Sequence, residues 1–293
     1  MTRSGSYVPS PIKRSRRTHG DMDAIRAAIH AVLAADNPMT VRQVFYQLVG
    51  RRTIEKTEAE YKQTIGRLLT EMRRAGEIPF GWISDNTRWM RKPRTYNSLQ
   101  QMLEITKNTY RRALWNDQAV YVELWLEKDA LAGVLLEETA PWDVPLMVTR
   151  GYPSLSYLYS AGTAMAAQGR PVYVYYFGDH DPSGRDITRS TEAGLREFAP
   201  DAEINFERVA VTESQIVRYR LPTRPTKLND SRSKHFRGES VEVDAIPSGS
   251  LRAIARKCIE QHIDRAQLDR TKLVEEQERE TLRRILKRIE AAK

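Results

Sequence analysis

Apolar residues recur at helical spacing through the first eighty positions and change to short β-branched and aromatic runs from about residue 119. Asp21 stands where a first helix would be capped, running to about Ala34 before Asn37-Pro38 breaks it. Thr40 caps a second helix over 41–50, with Val41, Val44, Phe45, Leu48 and Val49 on one face. Thr57-Glu58-Ala59-Glu60 has capping-box spacing and opens a third helix. Its buried face is Tyr61, Ile65, Leu68, Leu69 and Met72, and Gly76 ends it. Ile78 to Ile83 reads as a short strand or wing. Three helices and a wing predict a winged helix-turn-helix, a DNA-reading fold.

Residues 84–96 are polar, basic and turn-rich and read as a linker; a helix near 98–114 follows. Strands are then predicted at 119–126, 144–148, 172–177 and 204–211, and helices at 129–138, 153–168 and 183–198. Such alternation means an α/β domain with a mostly parallel sheet. Val241 to Ala245 is a further short strand candidate, and 250–265 and 267–292 are predicted helices. The domains expected are a flexible basic arm at 1–19, a DNA-binding domain at 20–95, and an α/β domain with a helical C-terminal tail at 96–293.

Composition adds direction. The 293 residues carry 47 Lys+Arg against 38 Asp+Glu, a formal charge of +9, which favours a polyanionic partner. Arg3, Lys13, Arg14, Arg16 and Arg17 lie in the arm, where no acidic residue precedes Asp21. Arg42, Arg51, Arg52, Lys56, Lys62, Arg67, Arg73 and Arg74 mark the solvent side of the helical region as a DNA-contact face. No apolar run reaches membrane-spanning length, and the N-terminus lacks the apolar core of a signal peptide. A cytoplasmic, nucleoid-associated protein is expected. The single Cys258 excludes an internal disulfide and any multi-cysteine zinc site.

The candidate chemistry centres on Gly178-Asp179-His180-Asp181-Pro182-Ser183-Gly184. Two carboxylates leaving the end of a buried strand make a hard oxygen site of the kind Mg2+ or Mn2+ takes. Ser183 can cap the helix that follows. Glu127 ends the preceding strand, and in a parallel sheet strand C-termini share one edge. Glu127, Asp179 and Asp181 are therefore the metal candidates. His180 points to the opposite side from its neighbours and is left out. Glu123 is mid-strand and weaker, and Glu242 and Asp244 read as a structural salt bridge. On helix 41–50, Tyr46 lies roughly 130° from the centre of the apolar face, on the side of Arg42. A tyrosine hydroxyl there can attack a phosphodiester while a metal offsets charge on the phosphate oxygens.

Glu127-Lys128, Arg150-Gly151-Tyr152-Pro153 and Asp179 to Gly184 resemble the Toprim domain of the topoisomerase VI A-subunit family, which also includes the transesterase that starts meiotic recombination. Arg42-Gln43-Val44-Phe45-Tyr46 resembles that family's Arg-x-x-Tyr-Tyr segment, whose second tyrosine is the nucleophile. Val241 to Ala245 resembles a late segment. The resemblance covers about residues 38–260, with the winged helix first and Toprim second. It implies double-strand DNA cleavage, with Tyr46 as nucleophile and Arg42 on the scissile phosphate. Glu127 would be general acid/base or ligand, with Mg2+ or Mn2+ on Asp179 and Asp181. It also implies a homodimer in which each tyrosine meets the partner's acids. Phe45 replaces the family's first tyrosine, and Tyr152-Pro153 stands where a lysine is expected. No Gly-rich phosphate loop is present, so any ATPase would be a separate subunit. Two alternatives stand beside this: a hydrolytic Toprim nuclease of plasmid or defence systems, and a non-catalytic DNA-binding protein.

Overall fold

The computed structural model describes residues 17–84, 94–226, 236 and 238–291 (at residue 290 the backbone only). Arg3, Lys13, Arg14 and Arg16 of the expected arm lie outside these residues, as do 85–93 of the expected linker.

The N-terminal region forms α1 (His19–Ala35), α2 (Val41–Gly50), a π-helical stretch over Glu60–Ile65, and α3 (Gly66–Arg74). The first helix is capped by Thr18, not Asp21. Asp21 instead closes the capping box, its carboxylate accepting from the Thr18 amide at 2.8 Å. Thr40 caps α2 as expected, in a box with Gln43. Thr57 accepts from the Glu60 amide at 3.2 Å. The strand expected at 78–83 does not form among the described residues. Pro79 and Gly81 turn residues 80–82 into a 3-10 turn, leaving one parallel bridge between Met39 and Ile83. Proline supplies no ladder donor, which works against a strand here.

Helix α4 (Leu99–Thr109), capped by Ser98, is shorter than predicted. The sheet follows as β1 (Tyr121–Leu126), β2 (Leu146–Val148), β3 (Val172–Phe177) and β4 (Ile204–Ala210), all parallel, in the order β2-β1-β3-β4. Between the strands run α5 (Ala132–Thr139), α6 (Leu155–Ala166) and α7 (Pro182–Phe198). Then come α8 (Glu213–Tyr219), which periodicity did not predict, α9 (Ser248–Glu260) and α10 (Arg265–Ala291). Residues 241–245 are not a strand. Val241 makes one antiparallel bridge to His180, and Val243–Ala245 is a 3-10 turn.

Alternation along the strands sorts two cores. Trp125, Val174 and Tyr176 face α6 and α7, while Leu124, Leu126, Tyr175 and Phe177 face the other way. The second core continues without a break through α5 and α9 into the N-terminal helices, taking in Ile29, Leu33, Val44, Leu48 and Leu69. The helical region and the sheet thus share buried apolar surface. The seam between them crosses the carboxyl ends of β1 and β3.

Candidate functional site

The site begins where β1 and β3 stop. Glu127 follows β1, and its amide donates to the Phe177 carbonyl at 2.9 Å, so the two strand ends stay in register. Gly178 then lets β3 pass under the Glu127 carboxylate: a Cβ there would lie 2.7 Å from Glu127 Oε2 and 2.6 Å from the Tyr176 ring. This close approach places the Asp179 amide 3.1 Å from Glu127 Oε2. Arg208, from β4, donates to the carbonyls of Gly178 (3.0 Å), Asp179 (2.5 Å) and Val211 (2.6 Å), pinning the loop from behind.

Asp181, not Ser183, caps α7. Its Oδ1 accepts from the Gly184 amide at 2.8 Å, and Pro182 takes the first helical position, where its missing N–H costs nothing. Gly184 has a steric reason. A Cβ there would collide with the Asp179 carbonyl oxygen. The Asp-Pro-Ser-Gly sequence is thus a tight strand-to-helix turn that leaves Asp181 Oδ2 free of the cap, 3.7 Å from Arg224.

Lys128 sits at the centre of the site. Its ammonium is 2.7 Å from Asp244 Oδ2, 3.0 Å from Glu242 Oε2 and 3.1 Å from Asp179 Oδ1. Asp179 Oδ1 also accepts from the Val243 amide at 2.9 Å. Glu242 is nearly buried and gathers further cations, Arg42 at 2.8 Å and Arg224 at 3.2 Å. The salt bridge read for Glu242 and Asp244 is therefore present, but it lies inside the acid cluster. Sequence reading did not find Lys128 or Arg224 as members. Lys128 adjoins the chosen Glu127, and the acids of Glu242-Val243-Asp244 alternate like Asp179-His180-Asp181. Nothing marked Arg224.

Electrostatics follow burial and pairing. Burial pushes the Glu127 carboxyl up to about 7, and the Asp179 charge adds to it. Asp179 is likewise raised, mainly by burial, against the pull of Lys128. Burial alone would raise Glu242, but Lys128 and Arg42 outweigh it and hold it at about 2. Lys128 is raised despite burial, because Asp244, Asp179 and Glu242 surround it.

Tyr46, expected to point away from the α2 core face, is only 4% exposed and belongs to the same buried apolar cluster as Val44, Phe45 and Leu48. Its hydroxyl hydrogen-bonds Glu242 of the same chain. The Lys56 ammonium lies 5.3 Å from the ring centre, and Lys56 itself donates to the carbonyls of Pro222 and Thr223. Burial and Glu242 both raise the phenol's proton affinity. Arg42, 4.8 Å over the Tyr61 ring, spans from α2 to Glu242.

These groups border a cleft of about 730 Å³ between the helical region and the sheet edge. Glu127, Lys128, Asp179, Glu242 and Asp244 line it, together with Arg42, Arg73, Arg150 and Arg224. Asp181 and Tyr46 are not among its lining residues. Arg150 is held in the left-handed region (φ 54°), followed by Gly151 at φ 89°, and pairs with Asp129 at 2.9 Å. A bulky residue kept in that region stores strain of the kind found at ligand clamps. His180 turns away, as expected, and packs on Phe236. Glu123 faces Trp125 on the far side of the sheet, 2.8 Å from its indole nitrogen. Of the basic residues assigned to a solvent face, Arg42 and Lys56 point inward, while Lys62 and Arg67 pair with Glu58 and Glu71 on their own helix.

Among the described residues no three His, Cys, Asp or Glu side chains converge to hold a metal ion. The donor chemistry nonetheless fits a hard divalent cation. Glu127, Asp179 and Asp181 offer only carboxylate oxygens; Glu127 Oε1 and Asp179 Oδ2 stand outside the contacts given above, and Asp181 Oδ2 has only the long pairing to Arg224. No described helix is long and apolar enough to cross a membrane. No family model matches the chain, and no curated protein matches it.

Proposed function

We propose that this chain is a metal-dependent DNA-cleaving transesterase like the topoisomerase VI A subunit, with the helical region as its DNA-binding half. One observation carries this reading. The carboxylates of two adjacent parallel strand ends open into a cleft whose other wall is arginine-bearing helix. Such a cleft accepts a phosphodiester while its acids hold a cation.

Glu127, Asp179 and Asp181 would hold Mg2+ or Mn2+, which offsets charge building on the non-bridging phosphate oxygens. Arg42, Arg73, Arg150 and Arg224 supply cationic contacts to the backbone. Tyr46 is the nucleophile. Its oxygen bonds to phosphorus, the bond to the 3′ oxygen breaks, and the 5′ end stays on the protein. The phenol proton passes to Glu242, the carboxylate that accepts its hydrogen bond, and the departing 3′ oxygen leaves as a hydroxyl with a proton given by Glu127. A homodimer would pair two such sites across a duplex, and ATP-driven strand passage would require a separate ATPase subunit.

The burial of Tyr46 beside the cleft favours a second reading, in which water replaces it and the protein is a hydrolytic nuclease. Supercoiled plasmid incubated with Mg2+ or Mn2+ and quenched with detergent separates the two. Linear DNA that enters a gel only after protease, and disappears in Tyr46→Phe, is the expected result. Protease-independent cutting that survives Tyr46→Phe establishes hydrolysis. Binding without cutting under either metal overturns both.

A further inference from the structure

Beside the proposed metal acids lies a second set of carboxylates that already has a cation. Asp179, Glu242 and Asp244 each place an oxygen within 3.1 Å of the Lys128 ammonium. Asp244 is 1% exposed, and its Oδ1 has no hydrogen-bond partner. A buried carboxylate oxygen left unpaired is costly, and it marks a position short of positive charge.

The connectivity separates this set from the first. Lys128 has extended backbone (φ −106°, ψ 111°), so Glu127 and Lys128 leave the end of β1 in different directions. Glu127 meets the main-chain amide of Asp179, whereas Lys128 meets its side-chain Oδ1. Asp179 therefore stands between two cation positions. Arg42 and Arg224 both serve Glu242, and of the pairs described Lys128 alone serves Asp244.

We propose that Lys128 is a built-in second cation: its ammonium fills a carboxylate cage of Asp179, Glu242 and Asp244 that takes a hard divalent ion once the lysine is removed. A tethered ammonium places one positive charge beside the cleft whatever the metal concentration, and it demands no fixed coordination number. The wild-type site is then a one-metal site with a lysine where a two-metal site has its second ion. The inference rests on the metal reading above through the shared Asp179.

Counting bound Mn2+ by electron paramagnetic resonance on the full chain, with folding checked by circular dichroism, tests it without any cleavage assay. The expected counts are one ion in wild type, two in Lys128→Met, and one again when Asp244→Asn is added to that variant. Asp244→Asn alone should leave the wild-type count at one, which keeps the test open if Lys128→Met does not fold. One ion in both wild type and Lys128→Met overturns the cage and leaves the metal reading intact. None in wild type but one in Lys128→Met supports the cage and overturns the metal reading. Two ions in wild type, or loss of an ion in Asp244→Asn alone, overturn the cage.

Discussion

Glu127 shows how its surroundings set the proton affinity of a single side chain. Buried against Asp179, it protonates at about 7 in the folded chain against 4.5 unperturbed. The folded state thus holds this proton more tightly than the unfolded state. Its contribution to stability is complete below about 4.5 and declines as pH rises through 7. Glu127→Gln removes that burden and should stabilise the metal-free protein at pH 8 by up to roughly 3 kcal/mol, with little effect at pH 4. Urea denaturation at both values checks this, and an equal change at the two would contradict it. Glu242 has the opposite sign. Held at about 2 by Lys128 and Arg42, it stabilises above about 4.5 and loses that contribution as pH falls through 2. Glu242→Gln should cost roughly 3–5 kcal/mol at pH 7, because it strips a buried cation group of its partner. Thermal and urea unfolding would measure that loss.

At the scale of elements, the strand-to-helix turn at 178–184 is the most constrained piece of chain. Gly184→Ala would drive a methyl into the Asp179 carbonyl, and the start of α7 would have to move. A loss of roughly 1–3 kcal/mol is expected, together with weaker Mn2+ binding, since Asp181 is carried on the displaced cap. Calorimetric titration with Mn2+ reads the second effect. Such elements were also the most legible in sequence. α2 announced itself by period, β1 and β3 by unbroken runs of β-branched and aromatic residues, and the Asp-Pro-Ser-Gly turn by composition. The strand expected at 78–83 gives way to a 3-10 turn because Pro79 and Gly81 outweigh its aromatic and β-branched neighbours. The Glu242 segment was misread because two bridging hydrogen bonds to His180, not a full ladder, hold its extended residues. Lys128, Arg224 and the burial of Tyr46 depend on which segments meet across the seam, and local periodicity carries no record of that.

Over the whole molecule, the continuous core joins helix and sheet on either side of the cleft. The cleft's arginines come from both, so under the proposed function DNA binding should depend steeply on salt. Arg73→Gln, on the helical wall, should lower the slope of log K against log salt by about one without changing preference among sequences. Fluorescence anisotropy across a salt series checks this. An unchanged slope would place the duplex elsewhere.

The pair Arg42–Glu242 joins residues 200 positions apart, and Arg252 reaches back to Asp36 across 216. A ribosome adding roughly 5–20 residues each second needs on the order of 10–40 s to bridge such a gap. Throughout that interval α2 exists with no carboxylate for Arg42 and no cover for Tyr46. The nascent helices therefore wait, half-clothed, for the segment that carries Glu242 and Arg252, and the cleft is completed only once that segment has emerged.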